Sequence, residues 1–179
     1  MRLRPVYGLL ATLLCAGFVS QPAYAKDKCS KVLKEANDPL EGKVQSFVYY
    51  FDIGRYTALD AMYKNGTWTI HLMAFAQGAL NKQGAAGEVA KISVGGQILE
   101  IPSTKESAPV SNVSSAGAVF TQWVVEYTLT PEQIKQLGSA PVEAIGVTVG
   151  GELLRLPVDS KDAVKVQEAF ACAAAVSGG

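Results

Sequence analysis

A chain of 179 residues, 49% hydrophobic and 18% charged, holds enough apolar side chain for one sizeable core. Its 16 basic and 16 acidic residues cancel, and no Lys/Arg run or basic helix face stands out, which argues against a nucleic-acid partner. One histidine and three cysteines leave little from which to build a metal centre.

The first 25 residues, MRLRPVYGLLATLLCAGFVSQPAYA, place Arg2 and Arg4 before an apolar run from Val6 to Val19, and then Ala23-Tyr24-Ala25. Basic, apolar and small residues in that order read as a secretory signal peptide. The apolar run is shorter than the roughly 20 residues of a membrane span. We expect residues 1–25 to be removed, leaving residues 26–179 as one β-rich domain without a transmembrane span, periplasmic or secreted. Removal takes two arginines away and leaves 14 basic against 16 acidic residues, a formal net of −2. Cys15 raises an alternative, because a lipidated cysteine also ends an apolar run. The residue before such a cysteine should be small, and here it is Leu14.

The mature chain keeps Cys29 and Cys172, one near each end. In an oxidising compartment such a pair is expected to form a disulfide, with two buried free thiols as the alternative. By the chain-entropy account a loop of this length contributes about 4–5 kcal/mol.

In chain order, residues 30–36 (SKVLKEA) read as a short helix and residues 44–53 (VQSFVYYFDI) as a strand rich in aromatic and β-branched side chains. Residues 59–64 and 67–75 flank Asn65-Gly66, a strong hairpin signal. A short helix over residues 56–64, capped by Asn65 and Gly66, is the alternative. The pair Gly95-Gly96 then sits between AKISV and QILEI. Folding that turn places Ala90, Ile92, Val94, Leu99 and Ile101 on one face. Lys91, Ser93 and Glu100 take the other, with Ile98 the exception.

Residues 119–129 (VFTQWVVEYTL) read as a long strand. Thr130-Pro131-Glu132-Gln133 reads as a capped helix start, and Gly138 as its stop. A near copy of the first glycine hairpin follows, VGGELLRLP after VGGQILEIP. Its register puts Ile145, Val147, Val149, Leu154 and Leu156 on one face and Gly146, Thr148 and Arg155 on the other, with Leu153 the matching exception. Asp159 or Ser160 caps a last helix to about residue 175, carrying Cys172. Residues 76–88 and 103–118 are small and polar, and read as loops; the second is long for a compact domain and is expected to be mobile. The expected fold is mainly β with short flanking helices: an antiparallel, hairpin-built β-sandwich or open barrel, its C-terminal helix tied to the N-terminus.

Chemistry is sparse. In the Asn65-Gly66 register Asp60 falls opposite His71, the supporting half of a nucleophilic triad. No GxSxG elbow supplies a nucleophile, and a solvated cross-strand pair is the plainer reading. Asp52, Asp60, Glu126, Glu132 and Glu152 are not spaced as a calcium loop. Tyr49, Tyr50, Phe51, Tyr56, Tyr63, Trp68 and Trp123 could line a groove, although strand aromatics more often fill a core. We therefore expect an exported, non-catalytic binding or accessory domain of a bacterial-type cell envelope, without cofactor or metal, whose partner is an unknown protein or envelope polymer. The alternatives are a hydrolase using Asp60 and His71, and a lipid-anchored protein held by Cys15.

Overall fold

The computed structural model describes Cys29 and residues 34–40, 42–46, 51–54 and 57–177. The expected signal peptide with Cys15 lies outside the described residues, as do Tyr49, Tyr50 and Tyr56. Among the described residues eleven strands and two helices follow one another: β1 (Lys34–Asp38), β2 (Gly42–Ser46), β3 (Phe51–Gly54), β4 (Thr57–Lys64), β5 (Thr67–Gln77), β6 (Val89–Val94), β7 (Gln97–Pro102), β8 (Val110–Val113), β9 (Val119–Leu129), α1 (Pro131–Leu137), β10 (Val142–Val149), β11 (Glu152–Leu156) and α2 (Ser160–Ser177).

They form a five-stranded antiparallel sheet in the order β3-β4-β5-β9-β8 and a four-stranded one in the order β11-β10-β6-β7. The hairpin β1–β2 is a third, two-stranded piece that lies against β4. Both large sheets are open and antiparallel, as expected for a sandwich or an open barrel, and they do not close into a barrel. Their inner faces share one core with both helices. Leu59, Ile70, Leu72, Trp123 and Tyr127 come from the larger sheet, and Ile92, Ile101, Ile145 and Val147 from the smaller. Ile134, Leu137, Val166 and Phe170 complete it from α1 and α2. No helix among the described residues is long and apolar enough to cross a membrane.

The two glycine hairpins hold the expected register residue for residue, including Lys91 opposite Glu100 and Gly146 opposite Arg155. Each turn has positive φ at both glycines, +55° and +74° in the first, +58° and +77° in the second. Side chains lock each turn. Glu143 accepts from the Gly96 amide at 3.2 Å, and Glu88 accepts from the Gly150 and Gly151 amides at 3.1 and 2.7 Å. The hairpins lie side by side, with β6 antiparallel to β10, and Lys91 faces Gly146 across that join. A local two-fold axis normal to the sheet passes through this pair, because it carries Ile92–Ile145 onto Val147–Ala90. The repeated sequence is thus a repeated half-sheet, and its two exceptions, Ile98 and Leu153, stand symmetrically on the outer face.

Helix α1 begins as expected. Thr130 Oγ1 accepts from the Gln133 amide, and Gln133 Oε1 accepts from the Thr130 amide at 2.8 Å. It ends at Gly138, but for another reason than a left-handed cap, since φ there is −82°. A Cβ at Gly138 would lie 2.6 Å from the Ala171 amide nitrogen and 2.8 Å from its Cα. Glycine is needed where α2 crosses. Helix α2 starts after Asp159, whose carboxylate accepts from the Lys161 amide at 2.8 Å, and it lies against α1, β3 and β10.

Three expectations fail. Residues 34–38 are a strand rather than the end of a helix, because β2 supplies a pairing partner (Lys34 opposite Ser46) that outweighs local helix preference. The single strand over 44–53 is divided, β2 ending at Ser46 in one sheet and β3 starting at Phe51 in another. The segment 103–118, read as a loop, instead contains strand β8, which pairs with β9, and two bridges, Ser103 to Tyr127 and Ser107 to Gly84.

Candidate functional site

The outer face of the five-stranded sheet carries the residues with chemistry. Asn65 and Gly66 take φ of +51° and +81°, the geometry of a two-residue hairpin turn, and this fixes Asp60 opposite His71. Strand β9 then adds on the other side of β5 and brings Glu126 opposite His71. The result is a row of acid, imidazole and acid across three strands. His71 Nδ1 lies 2.5 Å from Asp60 Oδ1, and Nε2 lies 3.4 Å from Glu126 Oε2. Glu126 is itself held by Lys105 Nζ at 2.8 Å and by the Thr104 hydroxyl, which donates to it at 2.9 Å. The Thr104 amide also donates to the Glu126 carbonyl at 2.9 Å. The cluster therefore fastens the segment after β7 onto the larger sheet.

Electrostatics follow from this geometry. The hydrogen bond to Asp60 raises the His71 pKa, partial burial opposes it, and the charge of Asp60 and the contact with Glu126 raise it further. The Lys105 hydrogen bond lowers the Glu126 pKa, burial opposes it, and the contacts with Thr104 and His71 lower it further. A ring with a carboxylate at each nitrogen is best satisfied as imidazolium, which donates from both. As a catalytic base it is poorly placed, since Nε2 meets Glu126 where a triad would present a hydroxyl.

A raised histidine pKa has a definite sign in stability. The folded state binds the proton more tightly than the unfolded chain, so the contribution is full below the ordinary value of 6.5 and disappears as pH rises through the folded value. The urea midpoint of the native protein should exceed that of His71→Gln on the acid side of 6.5, and the gap should close as pH rises. A gap that widens with pH would contradict the charged-imidazole assignment.

Apolar residues adjoin this row. On this face, in the registers of β5, β9 and β8, Met73 lies beside Val124, Gln122 between Phe75 and Val110, and Phe120 between Gln77 and Asn112; Met73 is buried, while both phenylalanines are half-buried. The Phe75 and Phe120 rings are 6.0 Å apart. Between them and the turn at Ser114 and Ala118 is a groove of about 590 Å³, with Ala76 and Val119 in its wall. Strand β8, which ends just before that turn, pairs only with β9 among the described residues, and its Val110 and Val113 are 54% and 69% exposed.

The other residues named from the sequence are distributed differently. Cys29 and Cys172 are joined by a disulfide, with Cα atoms 5.4 Å apart. Trp68 and Trp123 are buried, and Tyr63 packs on Trp68 with ring centres 4.9 Å apart, so these aromatics serve the core. Glu152 pairs with Lys82 on the surface, and Glu132 lies in the first turn of α1. Strand Phe51–Gly54 includes Asp52, whose side chain lies outside the description, as does that of Phe51. Among the described residues no group of three His, Cys, Asp or Glu side chains could hold a metal ion. Sequence reasoning missed Glu126 as a partner of His71, and missed Phe75 and Phe120. The available signal was the polar face of β9, where Phe120 and Val124 interrupt Gln122, Glu126 and Thr128.

No family model, curated protein or solved structure matches this chain.

Proposed function

We propose that this chain is an exported, non-catalytic binding domain of a bacterial-type cell envelope, periplasmic or secreted, that receives an extended apolar segment of another polypeptide along β8. The observation that carries this reading is the edge of β8 that has no partner strand among the described residues, with Val110 and Val113 exposed along it. An unpaired strand edge offers backbone donors and acceptors in a row, and exposed apolar side chains of the edge strand meet those of an added strand. An envelope polymer would use the aromatic groove but has no use for the strand edge. Export is supported by the order of residues in the first 25 positions and by the cysteine bridge, which suits an oxidising compartment. The hydrolase reading rests on the Asp60–His71 contact and would require Nε2 to leave Glu126.

A displayed library of random peptides, selected against the mature protein, tests the proposal. Peptides with alternating apolar side chains should be enriched, and Val110→Asp, at an exposed position of β8, should abolish the enrichment while leaving the urea midpoint nearly unchanged. Absence of enrichment, or enrichment indifferent to Val110→Asp, would defeat it.

A further inference from the structure

The smaller sheet has an outer face of its own, on the opposite layer from the β8 edge. Across its middle runs the row Arg155, Gly146, Lys91, Glu100, one residue from each strand. Lys91 Nζ lies 3.1 Å from Glu100 Oε1, while Arg155 has no ion partner among the described residues. Gly146 leaves a gap in this row, into which Leu153 leans; a Cβ there would lie 2.9 Å from Leu153 Cδ1. The gap opens a groove of about 260 Å³ between Ile98 and Leu153, with Ser93 and Ala144 in its floor. Ile98 is 67% and Leu153 40% exposed, although both are large and apolar.

We propose that this face binds the same face of a second copy of the chain, about a two-fold axis running along the strands. Such an axis reverses the strand order of the opposing copy. Arg155 then lies over Glu100 of the second copy, and Glu100 over its Arg155. Lys91 lies over the gap at Gly146 of the second copy, and the reverse. Arg155 and Glu100 each meet an opposite charge, and Lys91 meets no like charge directly across, only Gly146 with the Leu153 side chain leaning over it. The flanking rows agree. Leu153, Thr148, Val89 and Pro102 oppose themselves in reverse, which sets Leu153 on the exposed Pro102. On the other side Ile98 meets Pro157, the exposed residue after β11.

A two-fold axis across the strands would instead set Arg155 on Arg155, so the charge pattern selects one of the two face-to-face arrangements. Both sheets twist, and two aligned sheets cross at about −30°, which this axis permits. The contact is isologous, so each favourable pair occurs twice. Glu143, the remaining carboxylate at the groove, is occupied by the Ser93 hydroxyl at 2.6 Å and the Gly96 amide.

Sedimentation velocity over roughly 1–500 µM measures the association. The native chain should form a dimer and not a larger species. Glu100→Arg and Arg155→Glu should each weaken it by about ten-fold or more, and the double exchange should restore it to within about three-fold of native. Both positions are on the surface, and matching urea midpoints confirm that the variants fold. A native chain that stays monomeric, a dimer insensitive to either exchange, or a double exchange that fails to restore association each overturns the proposal. So does a monomer carrying a different polypeptide on this face.

Discussion

Replacing Cys29 and Cys172 together by alanine is expected to lower the unfolding free energy by about 4–5 kcal/mol, and the melting temperature by roughly 10–20 °C. The two residues are separated by 143 positions, so the bridge closes nearly the whole described chain and removes a large set of extended conformations from the unfolded state. It also ties α2, through the buried Cys172, to the segment before β1. Urea unfolding of the native and double-alanine proteins, compared with native protein under reductant, measures the effect. Reduction and substitution should agree. A difference below about 1 kcal/mol would mean that the bridge adds little to what the core already fixes.

The second large effect is expected at Trp123. Its ring is 1% exposed in the centre of β9, and its Nε1 donates to the Lys82 carbonyl at 2.8 Å. Trp123→Ala removes a large packed side chain and should cost about 3–5 kcal/mol. Trp123→Phe keeps much of the volume but strands the Lys82 carbonyl, and should cost about 1–2 kcal/mol. Urea midpoints read by circular dichroism separate the two. The Phe variant leaves Trp68 as the one tryptophan of the chain and so reports the β4–β5 hairpin alone. Equal losses in both variants would mean that the hydrogen bond, and not the packing, dominates this position.

What the sequence revealed divides along a physical line. Registers set by two-residue turns were legible in full. Gly95-Gly96, Gly150-Gly151 and Asn65-Gly66 each fix the pairing of the strands they join, so Lys91–Glu100 and Asp60–His71 followed from counting. Pairings between strands distant in the chain were not legible. Glu126 meets His71 only because β9 adds beside β5, and no local signal encodes that neighbour. Strand β8 was hidden for a different reason. Its residues Val110, Ser111 and Val113 are exposed and Asn112 is half-buried, so the alternation that marks a half-buried strand is missing. Of the helix expected at residues 30–36, the described part, residues 34–36, is strand instead, where pairing with β2 replaced local preference. The candidate site was thus half visible: its histidine and first acid from a turn, its second acid and apolar flank only from the assembled sheet.

The binding proposal stands on the β8 edge, and amide hydrogen exchange measures that edge directly. With a peptide selected from the displayed library bound, exchange should slow at the β8 amides that do not bond to β9, while β6, β7, β10 and β11 exchange as before. Unchanged exchange along β8, or protection confined to the smaller sheet, would contradict strand addition at this site.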